Sequence, residues 1–126
     1  MNEPKRADSY RLSEGEKKCE WKDSANEKMA NSGTLVINKE DHTMGNLIRM
    51  QLLRDKQVKF AGYIHPHPLI HKIELRVQTL DRALSTPMQA LENALSDLNQ
   101  EFTGLKARFQ QEVRRVQAEQ ADREYR

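Results

Sequence analysis

Apolar residues are distributed unevenly along this chain of 126 residues. Residues 1–32 contain one leucine and no isoleucine, valine or phenylalanine, whereas residues 33–116 contain 25 residues of these four types. Because burial of such side chains drives folding, the pattern predicts a folded domain over residues 33–118. Residues 1–32 are then a polar N-terminal arm with a weak strand near 17–22, and residues 119–126 are a polar tail.

Three segments of this domain have the pattern of β-strands. The run Leu35–Ile37 is short and apolar, which is typical of a strand at the centre of a sheet. Residues 58–64 form a second candidate strand, in which Gly62 indicates a bulge or a close contact. Residues 72–78 alternate polar and apolar side chains, which predicts a strand with one buried face.

A helix is predicted between the first two of these strands. It begins at a capping residue, Asp41 or Thr43, and ends near Asp55. Its apolar residues form two stripes, and since a helix that covers only its own sheet needs one, the second predicts burial against another surface. The first stripe is Met44, Leu47, Ile48 and Leu52, and the second is Met50 and Leu53.

The last helix is predicted to begin at Pro87, because Thr86 and Gln89 have the spacing of a capping box. Its apolar residues alternate steps of three and four, which is the heptad pattern of helices that pack against one another. Two valines continue the pattern after a step of four residues where a step of three is due, so the apolar stripe shifts around the helix there. The heptad residues are Met88, Leu91, Leu95, Leu98, Phe102, Leu105 and Phe109, followed by Val113 and Val116.

The length of this helix indicates what its apolar face contacts. A helix over residues 87–118 is about 48 Å long at roughly 1.5 Å per residue, whereas a strand of about eight residues covers only about 26 Å. The sheet therefore leaves roughly half of the heptad face uncovered. Such a face favours a protein partner over packing entirely within the chain.

Composition excludes several classes of function. Hydrophobic residues make up 37% of the chain and charged residues 32%, with a net charge of +2. This balance provides no general attraction to nucleic acid or to a membrane, and no apolar run has the length of a bilayer span or of a secretory signal. A single cysteine, Cys19, cannot form an internal disulfide, so we expect an intracellular, reducing compartment.

The sequence carries only weak signals for chemistry. His65, His67 and His71 cluster within seven residues, but their spacing is not that of a zinc site. Asp41 precedes His42, an arrangement that more often caps a helix than transfers protons. Residues 106–126 contain six basic and four acidic side chains, a mixture typical of a solvated helix. We therefore expect no catalytic residues, no metal and no cofactor.

Several motifs are similar to those of one protein family. They resemble the small α-like subunits of RNA polymerases, and in particular the form that is the eleventh subunit of eukaryotic polymerase II. The match is dense over residues 33–80 and continues to about 116 by pattern. It rests on Ile37–Asn46, Gln51–Asp55, Phe60–Tyr63, Pro66–Leu69, His71–Ile73 and Arg76–Thr79. The family-motif positions are Glu40, Asp41, His42, Thr43, Gly45, Asn46, Gly62, Tyr63, His67 and Pro68.

The resemblance implies an α+β fold: a small, mainly antiparallel sheet, one helix after the Gly-Asn motif, and a long C-terminal helix used for heterodimerisation. It also implies a non-catalytic nuclear subunit that pairs with the third-largest subunit of polymerase II. That pair would form a platform for the two large catalytic subunits in mRNA transcription. The family implies no direct contact of this chain with nucleic acid or membrane.

A predicted partner interface follows from the uncovered apolar stripes and from the resemblance together. Two alternatives remain open: a homodimeric coiled-coil scaffold, which is also a protein-interaction function, and a nucleic-acid-binding module, which belongs to another class. A small metal-dependent enzyme is a weaker third. The predicted interface residues are Met44, Leu47, Met50 and Leu53 of the first helix with Met88, Leu91, Leu95, Leu98, Phe102, Leu105 and Phe109 of the second.

Overall fold

The computed structural model describes residues 3–24 and 31–126 of the chain. A short 3-10 helix, Arg6–Ser9, precedes four strands and two α-helices. The chain forms two compact units, Met1–Ala94 and Leu95–Arg126. The elements are β1 (Cys19–Asp23), β2 (Ser32–Asn38), α1 (His42–Leu53), β3 (Val58–Ile64), β4 (Lys72–Thr79) and α2 (Pro87–Tyr125).

The four strands form one antiparallel sheet in the order β1-β2-β4-β3. Leu35–Ile37 are all buried in the central strand β2, as the unbroken apolar run predicts. On β4, Ile73, Leu75 and Val77 have no exposed surface, whereas the residues between them are half-buried. The predicted α+β fold with a small sheet and a long C-terminal helix is confirmed.

Helix α1 packs on β3 and β4 through a face of small and aliphatic residues. Gly45, Ile48 and Leu52 are its buried residues. Asp41 is the N-cap, and its side chain accepts a hydrogen bond from the backbone N–H of Thr43. The predicted cap at Asp41 is confirmed, and the helix carries the Gly-Asn motif, Gly45 and Asn46, in its first turns.

Gly62 does not mark a bulge, contrary to one of the two predicted roles. The irregularity in β3 lies between Val58 and Phe60, and Gly62 pairs in regular register with Arg76. Its predicted role as a close contact is confirmed, because a Cβ at Gly62 would lie 2.9 Å from Cζ of the Phe60 ring.

The N-terminal strand β1 begins at Cys19 and ends at Asp23, slightly later than the predicted strand near 17–22. Just before β1, two hydrogen bonds join the chain to Asn38 at the end of β2. The carbonyl of Lys17 accepts from the Asn38 side chain, and the carbonyl of Lys18 accepts from the Asn38 backbone N–H. The central strand β2 begins at Ser32, the last residue of the predicted polar arm. Residues 25–30 of that arm lie outside the described residues.

Helix α2 begins at Pro87, as predicted. The backbone N–H of Gln89 donates to Oγ1 of Thr86, and Oε1 of Gln89 accepts from the backbone N–H of Thr86, which completes the capping box. The helix continues to Tyr125 rather than ending near residue 118. Its last turns are rich in alanine, glutamine, glutamate and arginine, which favour helix. Ion pairs one turn apart, Arg115 with Glu119 and Asp122 with Arg126, add to this preference.

We expect Gly45→Ala to destabilise the fold. A Cβ at Gly45 would lie 2.6 Å from Cδ2 of Tyr63. Alanine favours a helix over glycine by about 1 kcal/mol, but overpacking costs roughly 1–3 kcal/mol and here also displaces α1 from β3. The urea midpoint, followed by far-ultraviolet circular dichroism, should fall.

Gly104→Ala is the matched control. It makes the same chemical change in α2, where a Cβ would meet nothing within 4 Å. The helix content should stay equal or rise. A midpoint for Gly45→Ala at or above that of the unsubstituted chain would contradict the proposed contact.

Candidate functional site

In the first unit, the opening turns of α2 have one buried side. Ala90, Leu91 and Ala94 are buried, whereas Met88 is exposed. Leu91, one of the predicted interface residues, is therefore buried within this unit. Ala90 and Ala94 complete this buried side. Their burial could not be predicted from the sequence, because alanine favours a helix at any position.

The second unit is the remainder of α2, and its apolar side chains are mostly exposed. Leu98, one of the predicted interface residues, is the exception, at 7% exposed. Phe102, Leu105 and Phe109 are 51%, 62% and 68% exposed, although phenylalanine and leucine are normally among the buried residues. Leu95, Val113 and Val116 are exposed as well.

Five of the exposed apolar residues of α2 follow one another every seven residues and form a row along the helix. In a repeat of alternating steps of three and four, successive members lie on two adjacent rows, roughly 50° apart around the helix. One row carries the two buried leucines, and the other is exposed along its whole length. We call the second the heptad row; it consists of Met88, Leu95, Phe102, Phe109 and Val116. Leu105 continues the first row but is exposed.

Helix α1 carries a second, smaller apolar surface. Met50 and Leu53 are exposed, on the side of the helix away from its buried residues. Met44 and Leu47 are half-buried, so they contribute only in part to any outer surface. The two stripes predicted from the sequence therefore differ in burial, and the second stripe lies uncovered.

The family-motif residues of α1 surround one aromatic ring, that of Tyr63 on β3. Nδ1 of His42 lies 2.9 Å from the Tyr63 hydroxyl, and the two rings meet edge to face with centroids 5.6 Å apart. The Arg49 guanidinium lies 5.5 Å from the centre of the same ring, in cation–π geometry. Gly45 lies against the ring because it has no side chain. These contacts fix the position of α1 on β3.

Asn46 holds the arginine of this cluster in place. Its Oδ1 accepts a hydrogen bond from Nη2 of Arg49 at 2.6 Å. Arg49 is a residue that the sequence analysis missed, because a single arginine in an amphipathic helix has no distinctive spacing. The motif residues His42, Gly45 and Asn46 therefore help to orient α1 on β3.

Charged residues fix the turn from β2 into α1. Nζ of Lys18 donates to Oε1 of Glu40 at 2.8 Å and to the carbonyl of Lys39 at 3.2 Å. Lys39 adopts a left-handed conformation with a φ of 59°, which lets the chain leave β2 and enter the cap at Asp41. The hydrogen bond from the Thr43 backbone lowers the pKa of the Asp41 carboxyl below its ordinary value of 3.8, and nearby His42 acts in the same direction.

Two motif positions lie apart from this cluster. His67 and Pro68 are exposed in the connection between β3 and β4, where Nδ1 of His67 accepts a hydrogen bond from the backbone of Leu69. The hydrogen bond to His67 orders that loop, which lies outside the contacts made around Tyr63. Thr43, also exposed, acts through its backbone.

Within residues 3–24 and 31–126, no group of three histidine, cysteine, aspartate or glutamate side chains has the geometry to hold a metal ion. No helix of this part of the chain is long and apolar enough to cross a membrane. Near the C-terminus, Arg115 pairs with both Glu112 and Glu119, which engages one of the basic side chains that a nucleic-acid surface would need. The apolar surfaces are thus the features most suited to a function.

Comparison with known proteins gives a consistent set of relatives. The RNA polymerase Rpb3/Rpb11 dimerisation domain matches residues 32–108. The probable DNA-directed RNA polymerase II subunit RPB11 of Caenorhabditis briggsae is 42% identical over 126 residues, covering 99% of each chain. The DNA-directed RNA polymerase II subunit rpb11 of Dictyostelium discoideum is 39% identical over 115 residues, which is 91% of this chain and 92% of its own.

A solved structure extends the comparison to the fold. The crystal structure of DNA-directed RNA polymerase subunit L from Thermoplasma acidophilum matches with a TM-score of 0.63 and 26% identity. The match covers 79% of this chain and 94% of the archaeal one. The resemblance inferred from the sequence motifs is confirmed by these matches.

The cap at Asp41 leads to a prediction about pH. Because folding lowers the pKa of Asp41, its contribution to stability is present above the ordinary value of 3.8 and is lost as the pH falls through the lower, folded value. Asp41→Ala should lower the free energy of unfolding by about 1 kcal/mol at pH 7. The difference from the unsubstituted chain should shrink below pH 4, as measured by urea unfolding across a pH series.

Asp41→Asn is the control for this prediction, since asparagine caps helices nearly as well and does not titrate. It should retain most of the stability at pH 7 and show a weaker loss in acid. Equal stability of the alanine and asparagine variants at pH 7 would contradict the capping role.

Proposed function

The chain belongs to the RNA polymerase Rpb3/Rpb11 dimerisation-domain family, and we propose that it is a non-catalytic assembly subunit of DNA-directed RNA polymerase II. In this proposal it pairs with the third-largest subunit of that enzyme. The pair then forms the platform on which the two large catalytic subunits assemble. Transcription by this enzyme places the chain in the nucleus.

The observation that carries the proposal is the exposed heptad row on α2. A helix of 39 residues displays five apolar side chains at a seven-residue spacing, from Met88 to Val116. This spacing fits packing against a partner helix, whose side chains insert between those of the row. The family description as a dimerisation domain and relatives that are named polymerase II subunits support the same reading.

The size of the row indicates that more than one surface contributes. Fully burying a large apolar side chain contributes about 1.5–3 kcal/mol. The row with Leu105 and Val113 contains seven such residues, each already about half-buried, so pairing would add roughly 5–10 kcal/mol. Loss of free motion on association costs about 4–15 kcal/mol. The gain from the row alone is therefore close to this cost, so further apolar contacts are needed, and Met50 and Leu53 on α1 are exposed apolar side chains of the first unit.

The motif residues support the interface indirectly. His42, Gly45 and Arg49 set the position of α1 through the Tyr63 ring. That position determines where Met50 and Leu53 lie. The polar groups of the motif are thus occupied in orienting an apolar surface, which agrees with a subunit that does not catalyse a reaction.

The test is co-expression of this chain with the third-largest polymerase II subunit from the same source. Expressed alone, the chain should self-associate or precipitate, because the heptad row is uncovered. Expressed with the partner, it should elute as a soluble complex with one copy of each chain. A monodisperse, cooperatively folding monomer at micromolar concentration would contradict the proposal, and a stable homodimer that ignores the partner would favour the coiled-coil scaffold.

Phe102→Ala should weaken the pairing without unfolding the chain. Phe102 lies near the centre of the heptad row and is half exposed, so truncation removes contact area mainly from the complex. We expect a loss of roughly 2–4 kcal/mol, the range for a buried aromatic at an interface. This corresponds to an increase in Kd of about 30- to 700-fold, which titration calorimetry can measure.

Two controls separate pairing from folding. Leu98→Ala truncates a buried leucine, so it should lower the stability of the chain itself by roughly 2–5 kcal/mol. Gln100→Ala changes an exposed residue about half a turn from Phe102 and should change neither quantity. Unaltered affinity in a folded Phe102→Ala chain would show that the heptad row faces no partner.

A further inference from the structure

The two edges of the sheet differ in how they are protected against pairing with another strand. Natural edge strands usually carry charges, prolines or bulges that prevent such pairing. The edge strand β1 carries charged side chains at Glu20, Lys22 and Asp23. The other edge strand, β3, has no charge and no proline from Phe60 to Ile64.

The bulge in β3 protects only the start of that strand. The register shift lies between Val58 and Phe60, and from Phe60 onward β3 pairs regularly with β4. In an edge strand, alternate backbone N–H and C=O groups point away from the sheet. Among the described residues, no backbone hydrogen bond outside the β3–β4 ladder involves residues 59–64. This segment therefore presents unpaired backbone donors and acceptors along an uncharged stretch.

The side chains of this edge form an apolar shelf on the side of the sheet opposite α1. Tyr63 faces α1, so its alternate neighbours Phe60, Gly62 and Ile64 face the other way. Phe60 is 49% exposed and Ile64 57% exposed. They line one side of a cavity of about 290 Å³, whose other side is polar and includes Thr34, Glu74 and Arg76.

We propose that the β3 edge, Phe60–Ile64, accepts an extended segment of another polymerase subunit as a fifth strand of the sheet. The inference rests on the proposed function and assigns a second docking surface to it. Unpaired backbone groups select an extended partner, because a helix has already satisfied its own and would leave those of β3 unpaired. The shelf selects apolar side chains at alternate positions of that segment.

This surface differs in kind from the heptad row. The heptad row offers side chains only, at a spacing that suits a helix, whereas the β3 edge offers main-chain hydrogen bonds in addition. The two surfaces therefore take different elements. The heptad row binds the partner helix, and the β3 edge remains available to a further subunit in the assembled enzyme.

To test this, the polymerase is purified through a tag on this chain, and every co-purifying subunit is measured by quantitative mass spectrometry. Ile64→Lys and the double variant Phe60→Lys, Ile64→Lys place charges on the β3 edge. Glu20→Lys is the matched control, because it places the same side chain on the same face of the sheet at the opposite edge. Thermal unfolding of each purified pair checks that the variants still fold.

We expect both β3 variants to retain the third-largest subunit and to lose at least one other subunit by 10-fold or more, while Glu20→Lys loses none. In the unsubstituted enzyme, amide hydrogen exchange within residues 60–64 should be slower than in the isolated pair, at alternate positions, with no such change over residues 19–23. Slowed exchange reports main-chain pairing, which apolar contact alone would not produce.

Three results would overturn the proposal: full subunit recovery with the double variant, loss of the third-largest subunit from a folded variant, or unchanged amide exchange over residues 60–64. Recovery of an untagged second copy of this chain, lost in the β3 variants, would assign the edge to self-pairing instead and would also overturn it. Absence of the third-largest subunit from the unsubstituted sample would contradict the proposed function. The exchange measurement on the recovered assembly would still decide the edge.

Discussion

A small sheet can bury only a short length of helix, and the rest of this chain depends on that limit. Its strands contain five to eight residues, or about 17–26 Å at roughly 3.3 Å per residue. Helix α2 contains 39 residues and keeps its apolar spacing far beyond the first turns, where Ala90, Leu91 and Ala94 are buried. The chain thus encodes more apolar helix than its own core can use, and the excess has to be buried elsewhere.

Much of the fold could be predicted from local patterns, because those patterns have local causes. The alternation at Ile73, Leu75 and Val77 and the capping box at Thr86 each have a short-range physical basis, and both occur where predicted. The heptad spacing did not reveal which of its residues are buried within the chain. Leu91 and Leu98 lie on the buried side, and the choice between two rows roughly 50° apart depends on tertiary packing that a spacing pattern does not contain.

Within the family motif, too, some residue roles could be predicted from the sequence and others could not. Asp41 could be identified as a cap from residue type and position, whereas the role of Gly45 became clear only with Tyr63 beside it. A contact between residues far apart in the chain produces no regular spacing in the sequence, so it could not be predicted from a pattern. Likewise the difference between the two sheet edges depends on the strand order β1-β2-β4-β3, which no single strand specifies.

The capping box at Thr86 and Gln89 also restricts how this chain can change in length. It fixes the first residue of α2, so every later side chain points in a direction set by the number of residues that follow. Inserting one residue between Ala94 and Phe102 would rotate the remainder of the heptad row by about 100°. An insertion in the connection before Thr86 would not rotate the side chains of α2 relative to one another. Length changes in relatives should therefore accumulate before the cap, and those within the helix should come in multiples of seven residues.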